Sequence, residues 1–276
     1  MAAFSSPPAA TRTVGRVCLN CVFVVTLAVI AGWVTAVPRL RSFLPGRADM
    51  KLITCAAALL GAAALVLLEK RHAPRNVPLV LSGMVIALSL LSLAEYALGR
   101  EFRLLTVLSP DHMSNAETIH AGRMAPNTAT AFLALSAPWL LMAREARRFR
   151  ALVIGGIVVT GVSALLPITG YLYGADDLRG LAAYTPMALP TAITLGLLTI
   201  ATLAAAADRG FVPILIADGP GGVMLRRLLP VAVLIPLTIG WLRLLGQRAR
   251  CGVVRVPEHR GSPAGRSIAL NVVILP

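Results

Sequence analysis

The sequence predicts an all-α fold, a polytopic membrane helical bundle of about seven spans with a parallel internal repeat. Three observations predict it. Hydrophobic residues make up 57% of the 276-residue chain and charged residues only 14%, against about 25% charged in a soluble domain. The apolar residues come in blocks of about 17 to 25, the length that crosses a bilayer, rather than in an amphipathic rhythm. Finally, the phrase GRMAPNTATAF (122–132) is echoed by YTPMALPTAIT (184–194), each just before a long apolar run.

Seven spans follow from the uncharged runs: about 17–37, 52–68, 77–98, 127–143, 151–173, 186–207 and 228–245. They define three regions: a cytoplasmic segment 1–16, a membrane domain 17–245 and a tail 246–276. The first run follows Arg12 and Arg16 and ends in VTAVP, as a signal peptide would. Its apolar core is longer than a usual signal core and six more spans follow, so it is expected to stay as a helix.

Lys and Arg in alternate loops set the orientation. With the N-terminus cytoplasmic, the inner side carries Arg12, Arg16, Lys70, Arg71, Arg75, Arg144, Arg147, Arg148, Arg150, Arg209, Arg226 and Arg227. The outer side carries fewer: Arg39, Arg41, Arg47, Lys51, Arg100, Arg103, Arg123 and Arg179. The cluster AREARRFR (143–150) is the clearest cytoplasmic anchor. The net charge of +14 is therefore assigned to orientation and anionic lipid headgroups. Nucleic acid is excluded as a partner because no basic stripe is interleaved with aromatics.

The echo extends beyond the two phrases. The third span ends in LAEYALG and the fifth in ITGYLYG, and each is followed by an outer loop and the Met-Ala-x-x-Thr-Ala phrase. Both copies run the same way through the membrane, hence a parallel repeat. Asn127, Thr128 and Thr191 are expected to cap the helix starts, with Pro126 and Pro190 in the first turn, where a missing N–H costs nothing. The functional reading is that the two starts frame an outer cleft. Its rim would comprise Glu95, Tyr96, Met124, Asn127, Thr128, Tyr171, Met187, Thr191 and Arg243. Glu95 is the only acidic residue within an expected span, and an ion pair with Arg243 would stabilise it there.

The remaining chemistry is sparse. Cys18 and Cys21 form C-x-x-C without a second pair nearby, and are read as small apolar helix residues. Loop 99–126 carries Asp111, His112, Glu117 and His120, of which His112, Glu117 and His120 are weak metal candidates. No phosphate loop, zinc-protease motif, nucleophile elbow or kinase box occurs, so neither catalysis nor a cofactor is expected.

In their fixed order, EYALG, GRMAPNTATAFLAL, GYLYG, TPMALPTA and MLRRLLPVAVLIPLTIGWLRLLGQRA resemble the N-terminal multi-pass membrane sensor region of bacterial PAS-containing sensor histidine kinases and diguanylate cyclases. The resemblance covers about residues 15–249. It implies a sensory module in the bacterial inner membrane, in contact with the lipid bilayer, with a second copy and a cytoplasmic kinase or cyclase output domain as partners. It leads one to expect a His where Pro190 stands, and an eighth span after Ala249. The tail is Arg-, Gly- and Pro-rich instead, and reads as disordered or frameshifted. A small transporter or permease, or an inactive fragment, is the alternative.

Overall fold

The structure, a computed structural model, describes residues 9–44, 46–70, 74–99, 123–144, 150–173, 186–206, 250–257 and 267–274, with 223, 227 and 238 singly. The chain divides into two units, Met1–Arg226 and Arg227–Pro276. The first is helical throughout its described part: α1 (Ala9–Val34), α2 (Pro38–Ser42), α3 (Leu52–Glu69), α4 (Asn76–Leu98), α5 (Pro126–Ala143), α6 (Arg150–Tyr173) and α7 (Leu189–Ala205). Six of these coincide with the first six expected spans; most of the seventh lies outside the described residues.

Among the described residues, four helices are long and apolar enough to cross a membrane, over Thr11–Val34, Leu52–Glu69, Asn76–Leu98 and Leu152–Tyr173. Of the other two, α7 is apolar but only 17 residues long, and α5 includes Asn127 and two prolines, Pro126 and Pro138. The helices α3, α5 and α7 pack against one another, and each of α1, α4 and α6 lies against two of them. Thus α1 meets α3 and α7, α4 meets α3 and α5, and α6 meets α5 and α7. Enclosed by protein, α5 and α7 need not be apolar all round, and they bury Thr128, Ser136, Thr191, Thr194, Thr199 and Thr202. Several of these hydroxyls return a hydrogen bond to their own helix, as Thr194 does to the Pro190 carbonyl at 2.7 Å. Small side chains also let neighbouring backbones approach closely.

The inner helices share one burial pattern. Positions four, five, seven, eight, eleven, twelve, fourteen and fifteen after Met50, Met124 and Met187 are buried in α3, α5 and α7 alike. That spacing is one helix face repeated, the face that meets the other inner helices. The polarity of the outer helices is reversed. Val158, Val159, Leu165 and Leu166 on α6 and Val80, Met84 and Leu90 on α4 are exposed, whereas Ile200 is the only exposed large hydrophobic on α3, α5 or α7.

Two close approaches depend on glycine. A Cβ on Gly61 of α3 would run into the ring of Trp139 on α5, and one on Gly156 of α6 into the Ala134 carbonyl of α5. That carbonyl has no donor four residues on, because Pro138 lacks an N–H. Trp139, fully buried, donates its indole N–H to Thr202 Oγ1 on α7 at 2.9 Å. One side chain thereby joins all three inner helices.

The described part of the second unit includes two strands. Arg250–Pro257 (β1) pairs antiparallel with Ser267–Ile274 (β2), in register from Arg250 opposite Ile274 to Pro257 opposite Ser267. Both stretches are rich in β-branched residues, which suit a pleated pair.

Candidate functional site

Each inner helix begins where an outer helix ends, and an aromatic side chain makes the join. Trp33, near the end of α1, donates its indole N–H to the Met50 carbonyl at 2.8 Å. Tyr171, near the end of α6, donates its hydroxyl to the Met187 carbonyl at 3.0 Å. At the third join, the Arg123 guanidinium lies 5.7 Å from the ring centroid of Tyr96, near the end of α4. Each join hands the chain to a buried methionine: Met50, Met124 and Met187 are 0%, 0% and 1% exposed. Three long apolar side chains so placed fix where the inner helices start.

The starts themselves match. Lys51, Ala125 and Ala188 are the residues at the N-cap, all with extended ψ near 150° (151, 144 and 146). Their carbonyls accept from the N–H groups of Cys55, Ala129 and Ala192 at 3.0, 2.9 and 3.0 Å. None of the three caps provides a side-chain hydrogen bond. The capping expected of Thr128 and Thr191, each the third residue of its helix, is not made by their side chains. Asn127 Oδ1 does accept from the Thr128 N–H at 3.0 Å, within the first turn. The threonine side chains face elsewhere. With Thr54 they line a cavity of ≈ 10 Å³, bounded also by Asp49, Lys51, Arg123, Ala125, Pro186, Met187 and Ala188. The cavity thus sits where the three inner helices begin.

Electrostatics at this end rest on buried charges. Glu95 is fully buried, and its Oε2 lies 3.5 Å from Arg123 Nε. The expected Arg243 lies outside the described residues, and Arg123 fills the role of counter-charge. Arg41, on α2, and Lys51 stack on the Trp33 ring at 4.8 and 5.8 Å from its centroid. The short α2 is held over the end of α1 by Gly32, where a Cβ would meet Leu40 Cβ at 2.6 Å. The basic character of the segment between α1 and α3 is therefore partly structural.

The expected rim is brought together in part. Thr128, Met187 and Thr191 share the cavity, and Glu95 and Tyr96 meet beside it through Arg123. Met124 and Tyr171 support it from behind. His112, Glu117 and His120 lie outside the described residues. Sequence reasoning missed Asp49, Lys51 and Thr54. The signal was present, since Met50 and Thr54 keep the Met-x-x-x-Thr spacing of the other two starts, but Lys51 stands where they have Ala. At the opposite end, Arg16 and Glu69 pair at 3.6 Å beside a cavity of ≈ 280 Å³ that Asn20 and Lys70 also line. Cys18 is buried and Cys21 exposed on α1, one turn apart at the edge of the buried face. No family model, curated protein or solved structure matches the chain.

Proposed function

We propose that the chain is a sensory module of the bacterial inner membrane, the input part of a two-component or cyclic-dinucleotide signalling protein, with its N-terminus cytoplasmic and no catalysis of its own. In this reading seven spans form three outer–inner hairpins, α1–α3, α4–α5 and α6–α7, followed by the run 228–245. The parallel repeat then has a third, more diverged copy beginning at Met50. A cytoplasmic kinase or cyclase domain would receive the signal from helix ends opposite the cavity.

One observation carries the proposal: a polar cavity closes one end of an apolar, close-packed centre. Below the threonines the inner helices present Ala58, Phe132 and Leu195 at one level, and Gly61, Leu135 and Leu198 at the next, with all five side chains 0% exposed. A transport route would need polar side chains free to meet a solute at these depths, whereas the buried hydroxyls of Ser136, Thr194 and Thr199 donate to carbonyls of their own helices. A receptor needs only that occupancy of the cavity alters how three packed helices meet. The charge count supports the orientation further, because Arg41, Lys51 and Arg123 are 3%, 4% and 7% exposed and so are largely removed from the headgroup region. Prolines within helices, Pro138 and Pro167, are the observation that favours a transporter instead.

Spin labels at Ala143→Cys and Ala205→Cys, in a background without other cysteines, test the two readings in proteoliposomes. Replacing Glu95 by Gln at the far end should shift the distance distribution between the labels. An unchanged distribution, together with solute flux through the vesicles, would replace the sensor by a transporter.

A further inference from the structure

The cavity at the three helix starts has a chemistry that none of the readings above assigns. Thr54, Thr128 and Thr191 are 2%, 3% and 3% exposed and all line it. None of their hydroxyls hydrogen-bonds to another group among the described residues. A threonine on an inner helix normally returns its hydroxyl to a carbonyl of the preceding turn, as Thr194, Thr199 and Thr202 do at 2.7 Å. The three at the cavity do not, although they are buried as deeply. Their hydroxyl oxygens border the accessible space, so all three can donate to whatever fills it.

The surrounding charge decides what that is. Three helices of 17 or 18 residues begin here, each presenting the equivalent of about half a positive charge at its start. Their first-turn N–H groups have no backbone acceptor within the helix. Lys51 and Asp49 line the space, and Arg123, which also lines it, is paired with Glu95, so the side-chain charges balance and the net positive field is that of the three helix starts. This field opposes a cation. The volume of ≈ 10 Å³ admits about one particle of water's size, which excludes phosphate, sulfate and any organic acid.

We infer that this cavity is a binding site for one small inorganic anion of halide size, held by the hydroxyls of Thr54, Thr128 and Thr191 and by the positive ends of α3, α5 and α7. The anion clips together the starts of three helices that otherwise repel through their dipoles. The three hydroxyls donate to it, and the matched Met-x-x-x-Thr spacing is what delivers one donor from each helix. The site stands whether or not the module signals, because its occupancy is read on the isolated chain.

Thermal unfolding of the purified full chain in nanodiscs tests it, with chloride compared against gluconate at constant ionic strength. Chloride should raise Tm by roughly 5 °C over two decades of concentration above its binding midpoint, and go on raising it with the logarithm of concentration, as a ligand of the folded state does. Replacing all three threonines by valine, which keeps the shape and removes the hydroxyls, should abolish the difference between the two salts. Replacing all three by serine should keep it. Should the triple valine variant fail to fold, each single variant, such as Thr128→Val, should move the chloride midpoint several-fold upward. Equal Tm values in chloride and gluconate for the unaltered protein would overturn the inference. So would an unchanged midpoint in the valine variants.

Discussion

At the scale of single residues, the centre of the bundle is held by side chains that are individually unambiguous in chemistry and mutually dependent in place. Trp139 is the clearest. Its ring fills the space that Gly61 leaves open, and its N–H reaches Thr202 Oγ1, which itself donates to the Leu198 carbonyl at 2.7 Å. Thr202→Val keeps the shape and strands a buried indole N–H, which should cost about 1–3 kcal/mol. Thr202→Ser should recover most of it. Adding Trp139→Phe to Thr202→Val should cost less than the two changes separately, since the donor leaves with its acceptor. Unfolding in detergent, followed by near-UV circular dichroism, measures all three. Additive losses would mean that the bond contributes nothing.

At the scale of elements, helix positions were legible and helix partners were not. The apolar runs located α3 to α6 to within a residue or so, because a helix that crosses lipid must satisfy its own backbone and stay apolar for a fixed length. The start of α1 lies eight residues before the expected 17, since the polar turns before the apolar run continue the helix. Which helices lie inside could not be read from the runs. The signal was the density of Ala, Gly, Ser and Thr on one face, which matters only when another backbone comes close. Adjacent glycines on α6 make the point. A Cβ on Gly155 meets nothing within 4 Å, whereas one on Gly156 meets the Ala134 carbonyl and, at 2.9 Å, the Pro138 ring. Gly155→Ala should therefore be neutral or stabilising by up to about 1 kcal/mol, the ordinary gain in helix propensity. Gly156→Ala should lose about 1–3 kcal/mol by forcing α5 and α6 apart. Equal Tm values for the two variants would refute this account of the α5–α6 contact.

At the scale of the whole molecule, three inner helices supply the packing and three outer helices supply the apolar surface. Such a surface is a liability in water and a requirement in lipid. Val159 of α6 is 49% exposed. In a soluble bundle, Val159→Asp would be tolerated; in a bilayer it should raise the cost of insertion by about 2.5–3.5 kcal/mol. The measurement is the fraction of chain recovered in carbonate-washed membranes, against Val159→Leu as control. Equal recovery would place α6 away from lipid.

The sequence by itself determined that this chain is built of long apolar helices, where six of them lie, and that two of them start with the same phrase. Those properties are local, since a residue's hydropathy and a helix's length can be counted along the chain. The tertiary structure decided that Met50 to Thr54 belongs with the two phrases, that Glu95 meets Arg123, and that the threonines face a common cavity in place of capping their helices. Each of these depends on which faces turn toward one another in a cyclic arrangement of hairpins. Lys51 in place of an alanine hides the first start from a sequence comparison, while its buried methionine and threonine keep the same geometry, because packing against two neighbours constrains the inward face and leaves the second residue free to carry a charge.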